Sequence, residues 1–173
     1  MKTRQLNSYI KLGTIAIVDI STKSHPKASM KIDLDVWLDL LDRGIGRVSK
    51  DANYARTWFN GASRHIHKMI TPSFKDCVDH VNHDRTDNRL SNLRSVTHAE
   101  NGLNLSMSKA NKSGHCGIRE RKGVKGSTWQ AFIRSGNKQI HLGSFKALDK
   151  AIAARKAAEV KLGFHKNHGK GDI

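Results

Sequence analysis

The chain of 173 residues has only two cysteines, Cys77 and Cys116, and no long hydrophobic run. Two thiols exclude a disulfide-stapled scaffold and a zinc site with four cysteine ligands. The longest apolar run, residues 14–18, is far too short to span a bilayer, so we expect no membrane partner. The N-terminal stretch MKTRQLNSYI lacks the apolar core of a secretory signal, which favours a cytoplasmic protein.

Acidic residues are scarce: 15 Asp and Glu stand against 31 Lys and Arg, a formal net charge of +16. A basic excess of this size is typical of proteins that bind a polyanion, most often nucleic acid. Residues 1–76 carry a net charge of +6, residues 77–105 carry −1, and residues 106–173 carry +11. A near-neutral segment between two basic flanks suits a site that holds a cation while its neighbours hold phosphates.

Apolar residues make up 37% of the chain, enough for one medium-sized domain or two small ones. Residues 10–19 are rich in β-branched side chains and predict a short strand. Residues 53–60 and 63–70 predict β-rich segments on either side of the Asn60-Gly61 turn signal, the second grading into a short helix. We find no internal repeat.

A first helix is predicted over residues 33–44, because apolar residues recur there at helical spacing. Asp33 is suited to be its N-cap and Gly44 its stop signal. The apolar face is formed by Leu34, Trp37, Leu38 and Leu41.

The C-terminal part has a different pattern. Residues 106–116, SMSKANKSGHC, are polar and lack periodicity, so they predict a linker. Three short segments with partial alternation follow, separated by turns that contain glycine, and residues 147–163 predict an Ala-rich amphipathic helix. Three strands and one helix make a small α+β unit of about 55 residues. The predicted apolar face of the helix consists of Leu148, Ile152, Ala153 or Ala151, Ala157, Val160 and Leu162.

The near-neutral segment has the residue types that phosphodiester hydrolysis needs: a base that activates water, and ligands for a divalent cation. Asp79 and His80 supply a carboxylate for a hard cation and an imidazole that is mostly neutral near pH 7. Thr97 and Glu100 fit a capping box, which places Asn101 in the first turn of a helix. We therefore expect an oxygen-ligand site formed by Asp79 and Asn101.

Residues 78–104, VDHVNHDRTDNRLSNLRSVTHAENGLN, resemble the core of the HNH endonuclease family. The resemblance implies a ββα-metal fold, a β-hairpin followed by a helix. It implies His80 as the general base, Asp79 and Asn101 as metal ligands, and Asn92 as the residue that braces the hairpin loop and helps to orient the base. The implied cofactor is Mg²⁺, with Mn²⁺ as the alternative.

Other residues of the segment have less direct roles in this resemblance. Arg94 matches a loop-shaping position and is also expected to contact a phosphate, as Asp87, Asn88 and Leu93 shape the loop. The family has a glycine where this chain has His83, which alters the turn. We expect one of His65 and His67 to pack beneath the hairpin, and we expect His98 to be a surface or phosphate-contacting residue and not a ligand. Catalysis is assigned to none of these histidines, nor to His83.

Residues 113–163 resemble the Apetala-two/ethylene-response-factor DNA-binding domain, through G-I-R, W-Q-A-F-I-R, H-L-G-S-F and the following helix. The resemblance implies a three-stranded sheet that lies in the major groove of double-stranded DNA. Trp129 matches a buried aromatic, with Leu142 and Phe145 in the small core. The implied DNA-contacting residues are Arg119, Arg121, Arg134, Lys138, Gln139 and His141, the last two at positions where the family often has Arg and Trp.

Together these features predict an α+β protein: a ββα-metal nuclease core with a β-rich N-terminal lead-in, linked to a small three-stranded antiparallel sheet plus helix. We predict four parts. Residues 1–76 form a DNA-contacting lead-in with one helix, and residues 77–105 form the nuclease motif. Residues 106–116 form the linker, and residues 117–168 form the DNA-binding domain. The predicted function is a site-specific, metal-dependent DNA endonuclease of the homing type found in phages and introns, without a protein partner.

Two alternatives remain: a DNA-binding regulator with an inactive nuclease site, and a basic RNA- or ribosome-binding protein. The target sequence, nicking against double-strand cutting, and the oligomeric state stay open at this point.

Overall fold

The computed structural model of the chain describes residues 6–74, 76–124 and 126–170. They form two compact units, Met1–Thr97 and His98–Ile173. The division falls upstream of the predicted linker, residues 106–116. Small antiparallel sheets and a few helices agree with the predicted α+β class. None of the helices in these described ranges is long and apolar enough to cross a membrane.

The first unit opens with an antiparallel sheet of three strands, β1 (Tyr9–Leu12), β2 (Ile15–Asp19) and β3 (Ser29–Asp33). The prediction of one strand over residues 10–19 is wrong, because the chain turns back at Gly13. Its φ of +58° lies in the left-handed region that glycine adopts without a steric penalty. The short strand β3 escapes prediction, since five residues carry too little periodicity.

Helix α1 (Leu34–Asp42) confirms the predicted first helix. It buries Trp37 and Leu40, whereas Leu38, predicted on the apolar face, is exposed. Asp33 stands at the N-cap position, but its side chain makes no capping hydrogen bond. Its Oδ2 instead accepts a hydrogen bond of 2.7 Å from the backbone N–H of Leu90. The residue that predicts the start of a helix therefore ties that helix to a distant loop.

A second antiparallel sheet contains β4 (Val48–Asp51), β5 (Tyr54–Phe59) and β6 (Ala62–His65), and β6 leads directly into α2 (Ile66–Ile70). This confirms the two β-rich segments and the short helix, while β4 is not predicted. The two sheets share one hydrophobic core with the helices. Its buried residues are Ala16, Val18, Ile20, Met30, Ile32, Trp37, Leu40, Ile45, Val48, Ala55 and Ile66.

The first unit ends in a two-stranded hairpin, β7 (Cys77–His80) and β8 (Leu93–Val96), with a 3₁₀ turn at Leu90–Asn92 before β8. The loop between the strands is bonded to β3. Lys31 N–H donates to the carbonyl of Thr86 at 3.0 Å, and Asn88 N–H donates to the carbonyl of Lys31 at 2.7 Å. The N-terminal sheet thus fixes the position of the hairpin loop.

The second unit starts with the single-turn helix α3 (His98–Gly102). It continues with an antiparallel sheet of β9 (Ile118–Gly123), β10 (Gly126–Ser135) and β11 (Lys138–Phe145), with β10 in the middle. Helix α4 (Leu148–Lys161) follows. The three strands and the helix confirm the predicted order of elements. The core contains Ile118, Ala131 and Ala151, with Trp129, Leu142, Phe145, Leu148 and Ile152 packed against it.

The buried face of α4 differs from the predicted one. Val160, predicted on the apolar face, is 82% exposed, and Arg155 and Glu159 are buried instead. Arg155 Nε donates to Glu159 at 2.9 Å, and its Nη1 donates to the carbonyl of Phe132 on β10. Leu148, Ala151 and Ile152 pack α4 against the sheet. The hydrogen bond from Arg155 to the Phe132 carbonyl adds a polar contact between helix and strand, and Glu159, one turn along the same helix, pairs with the guanidinium.

Candidate active site

His80 lies at the end of β7, next to the loop, and is 5% exposed. Its Nε2 is 3.2 Å from the amide oxygen of Asn88. Because an amide oxygen only accepts, Nε2 carries the hydrogen and Nδ1 keeps the lone pair of the neutral ring. Burial lowers the pKa of His80, although the hydrogen bond to Asn88 and three nearby carboxylates act in the opposite direction. The imidazole is therefore neutral near pH 7, with one nitrogen able to take up a proton.

Four rings pack together here, and we call Tyr54, His65, His67 and His80 the ring cluster. The His67 and His80 rings meet edge to face with centroids 5.1 Å apart, and His65 stacks on His67 at 5.1 Å. The ring of Tyr54 lies 5.0 Å from His65, 5.2 Å from His67 and 6.2 Å from His80. These contacts confirm the expectation that a histidine of residues 63–70 packs beneath the hairpin, and the residue is His67.

His67 is buried and neutral. Burial lowers its pKa to about 3, and the neighbouring His80, His65 and Lys68 add to the effect. In the described part of the chain its Nδ1 has no hydrogen-bond partner. A neutral His67 ring packs against His80 without adding a positive charge that would oppose protonation of His80. The ring cluster can therefore hold the His80 ring in place and leave it free to titrate.

Asp79 is the carboxylate predicted to bind a metal ion. Its Oδ2 accepts hydrogen bonds from Arg94 Nε at 2.9 Å and Nη2 at 2.7 Å, across the β7–β8 pair. The guanidinium pairs with Oδ2 of this nearly buried carboxylate, so a divalent cation at Asp79 would share the carboxylate with Arg94 or displace it. Among residues 6–74, 76–124 and 126–170, no three His, Cys, Asp or Glu side chains gather as a metal-binding group. A cation here needs amide or water oxygens beside Asp79.

The predicted second ligand, Asn101, lies on α3 and thus in the second unit. The helix starts at His98, directly after Thr97, as the capping-box pattern of Thr97 and Glu100 predicts. His98 is exposed at this end, in agreement with a surface role. The pairing of Asn101 with Asp79 stays a prediction.

Asn92 is buried and spans the hairpin loop with both ends of its amide. Its Oδ1 accepts from Asn82 N–H at 3.0 Å, and its Nδ2 donates to the carbonyl of Asp87 at 2.8 Å. This is the geometry of a brace for the loop. The side chain that contacts His80 is instead Asn88, for which the resemblance implied only a loop-shaping role.

The rest of the loop is held by charge and by an unusual backbone. Arg89 donates from Nε at 2.8 Å and from Nη2 at 2.7 Å to the two carboxylate oxygens of fully buried Asp87. Burial alone would raise the pKa of Asp87, but the hydrogen bonds and charge of Arg89 lower it below its ordinary value. His83, where the resembling family has glycine, has a φ of +69°. The backbone thus keeps the left-handed conformation that favours glycine, despite the larger side chain.

The sheet of the second unit presents a polar face on the side away from α4. Directly opposite residues share a face, and this register places Arg119 beside Gln130, Phe132 beside His141, and Arg134 beside Gln139. Arg121, opposite Thr128, belongs to the same face. Lys138 alternates with Gln139 and lies opposite Ser135 at the end of the hairpin, so it belongs to the other face.

Contacts on this face hold the side chains in place. Arg119 Nε donates to Gln130 Oε1 at 3.2 Å, and the Arg119 guanidinium lies 4.4 Å above the ring of Phe132. The rings of Phe132 and His141 are 4.9 Å apart. A row across the three strands therefore presents a guanidinium and an imidazole on either side of the Phe132 ring, an arrangement suited to contacts with phosphates and base edges.

Residues 61–103 match the family model described as HNH endonuclease. The match runs from the turn before β6, through the ring cluster histidines, Asp79 and His80, to α3. It supports a nuclease that acts on nucleic acid, and nucleases of this family generally use a divalent metal ion. No curated protein and no solved structure matches the chain.

Proposed function

We propose that this protein is a site-specific, divalent-metal-dependent DNA endonuclease, of the homing type encoded by phages and introns. The observation that supports it best is the state of His80: buried, neutral, and oriented through Nε2 by Asn88, beside the Asp79 carboxylate and inside the matched segment. A general base needs a fixed ring, a free lone pair and a neutral resting state, and His80 has all three.

In this proposal His80 takes a proton from water, which attacks the phosphodiester. Asp79 and Asn101 would hold the cation, Mg²⁺ first and Mn²⁺ as the alternative. When bound, the cation supplies positive charge to the phosphate that is cut. Arg94 pairs with Asp79 and is available for a phosphate contact, and Asn92 keeps the loop in shape.

The second unit would place the cut through the polar face of its sheet, with Arg119, Arg121, Arg134, Gln139 and His141 directed at the DNA. Lys138, on the alternate position at the hairpin end, would contact the phosphate backbone. The charge of residues 106–173, a net +11, supports nucleic acid as the partner of this unit. Double-stranded DNA is the proposed substrate.

Plasmid nicking with Mg²⁺, compared with EDTA and with His80→Ala, tests the chemistry. His25→Ala is the matched control, since His25 lies in the surface loop between β2 and β3. The parent and the control should nick the plasmid in Mg²⁺ and not in EDTA. His80→Ala should nick more slowly in Mg²⁺, by about 10²–10⁴-fold. Equal rates for His80→Ala and the parent would remove His80 as the base.

Site preference is tested with point variants, because truncation after residue 105 would damage the second unit. Within that unit, His165 N–H donates to the carbonyl of Leu103 at 3.0 Å, and Gly169 N–H donates to that of Leu105 at 2.9 Å. Arg119→Gln with Arg121→Gln should scatter the cut positions on a long DNA and leave non-specific cutting in place. If the parent binds DNA but never nicks it, the DNA-binding regulator replaces the nuclease as the proposed function. If the parent prefers RNA to DNA, the RNA- or ribosome-binding protein is favoured instead.

A further inference from the structure

A groove of about 500 Å³ lies on the first unit, along β5, β6 and α2 and next to the end of α1. We call it the basic groove, because its charged lining residues are Arg43, Arg56, Arg64 and Lys68. His65 also lines it, together with small and apolar residues of the β5–β6 turn.

Two of the four cations are already paired. Arg43 bonds to Asp39 at 3.1 Å, and Arg56 bonds to Asp51 at 2.6 Å. Arg64 and Lys68 are exposed and make no ion pair with any residue that the structure describes. Two unpaired cations in the lining of the groove form a surface for an anion, and Arg43 and Arg56 add positive charge to the same lining.

The basic groove reaches the candidate active site through the ring cluster. His65 lines the groove and stacks on His67, and His67 contacts His80. The groove is therefore two ring-to-ring steps from the proposed base. One DNA strand advances about 3.4 Å per nucleotide along the helix axis, so a strand in the groove is within a few nucleotides of His80.

Trp58 borders the same face. It is 72% exposed on β5, directly opposite Ser63, which lines the groove. Tyr54 and Arg56 precede it at alternate positions of β5, so the three side chains point to one side of the sheet. An exposed indole on the same side of the sheet as Arg56 is suited to stack on bases or sugars while the cations of the groove hold the backbone.

We propose that the basic groove binds the sugar–phosphate backbone of the DNA beside the bond that is cut, with Trp58 packing against the same DNA. This inference rests on the proposed endonuclease function for its ligand. The chemistry of the ligand follows from the groove itself: a chain of phosphates matches a lining with four cations. Continuity with the ring cluster carries that chain to His80.

The test measures binding of the full-length protein to a short DNA duplex of arbitrary sequence, by fluorescence anisotropy in EDTA at several salt concentrations. The variant is Arg64→Gln with Lys68→Gln. Its matched control is Lys11→Gln with Lys23→Gln, which removes the same charge from exposed positions of the first unit outside the groove. The control separates a contact from a general loss of positive charge.

The groove variant should flatten the slope of log K against log salt by about two, one for each lost phosphate contact, and should weaken binding about tenfold. The control should keep the parent slope. Trp58→Ala should weaken binding by roughly tenfold, whereas Ile10→Ala, which truncates an apolar side chain that is 67% exposed on β1, should not.

Equal slopes for the groove variant and the control would overturn the inference. So would a loss confined to single-stranded RNA of the same length, because the occupant would then be a different nucleic acid. Plasmid nicking by the parent is measured in parallel. If the parent nicks but the groove variant binds DNA like the control, the groove proposal is wrong and the endonuclease proposal stands. If the parent never nicks but the groove variant shows the expected flatter salt dependence, the endonuclease proposal is wrong and the groove proposal stands.

Discussion

At the scale of single residues, Asn88 decides how His80 is presented. Its amide oxygen is the hydrogen-bond partner of Nε2, so it fixes both the ring plane and the protonated nitrogen. Asn88→Ala removes that acceptor and lets the ring rotate and exchange tautomers. We expect the single-turnover nicking rate to fall by about 10²-fold at saturating DNA, with DNA affinity unchanged. Asn53→Ala, on the exposed turn before β5, is the control; an unchanged rate for Asn88→Ala would contradict the role.

His67 makes the stability of the first unit depend on pH. Its folded pKa of about 3 lies below the ordinary 6.5, so below pH 6.5 the unfolded chain binds a proton that the folded chain refuses. The contribution of the neutral His67 ring to the free energy of unfolding is complete above pH 6.5 and is lost as the pH falls toward 3. We expect the free energy of unfolding to decrease within this window by up to about 1.4 kcal/mol per pH unit on account of His67.

The measurement is urea unfolding between pH 7 and the lower end of that window, in a Trp129→Phe background so that Trp37 and Trp58 report on the first unit. His67→Phe keeps a ring in the cluster but has no titratable group. Its unfolding free energy should depend less on pH than that of the parent. Identical pH slopes would show that His67 titrates in the folded chain as it does in the unfolded one.

The residues that could be predicted are those whose partners are close in sequence or fixed by the family pattern. Asp79 and His80 are adjacent, and the spacing around them identifies the hairpin. The contact of His80 with Asn88 crosses a loop, and its contact with His67 joins two elements, so neither is readable from spacing. The ion pair of Asp79 with Arg94 follows from the strand register, which the sequence does not state.

At the scale of elements, α4 carries a buried intrahelical ion pair beside its apolar contacts with the sheet. Arg155→Met would leave the Glu159 carboxylate buried with only Lys156 as its partner, and the Phe132 carbonyl without its donor. We expect the second unit to lose about 3–5 kcal/mol of stability. Hydrogen exchange of the β10 amides measures this unit by itself.

The double variant Arg155→Met with Glu159→Leu is the informative comparison. It removes both charges, so no uncompensated carboxylate stays buried, and it should recover part of the lost stability. A double variant less stable than Arg155→Met would mean that the Glu159 carboxylate is stabilised by groups other than the guanidinium.

Elements with a strong local signal were predictable, and those without one were not. The helix α1 has apolar residues at helical spacing, and β5 and β6 flank an Asn-Gly turn. The strands β3 and β4 have five and four residues, too few for a period to be recognised. In α4 the spacing of apolar residues predicts a helix but not its buried face, because Arg and Glu side chains are ordinarily exposed to solvent.

At the scale of the whole molecule, positive charge lies on both flanks of the segment that contains Asp79 and His80. Residues 1–76 and 106–173 carry net charges of +6 and +11, and residues 77–105 carry −1. We expect binding of a non-specific duplex to weaken by about 10³-fold between about 50 and 200 mM salt, as a protein with about six phosphate contacts does. Anisotropy titrations check this, and a slope near zero would argue against phosphate contacts as the source of affinity.

The fold class and the order of elements were predictable because composition and motif spacing indicate them. The α+β class and the order of elements in the second unit needed no tertiary information. The division after Thr97 did, since it depends on which segments pack together: residues 103 and 105 hydrogen-bond to the C-terminal turn of the second unit.

The bonds from β3 and Asp33 to the hairpin loop limit how far the nuclease motif can be transplanted. Lys31 bonds to the loop backbone on both sides, and Asp33 accepts the N–H of Leu90. A graft of residues 77–105 into a foreign scaffold would leave these loop groups without partners and His80 without the rings of Tyr54 and His67. The smallest portable cassette therefore begins at β1, long before the first residue of the motif.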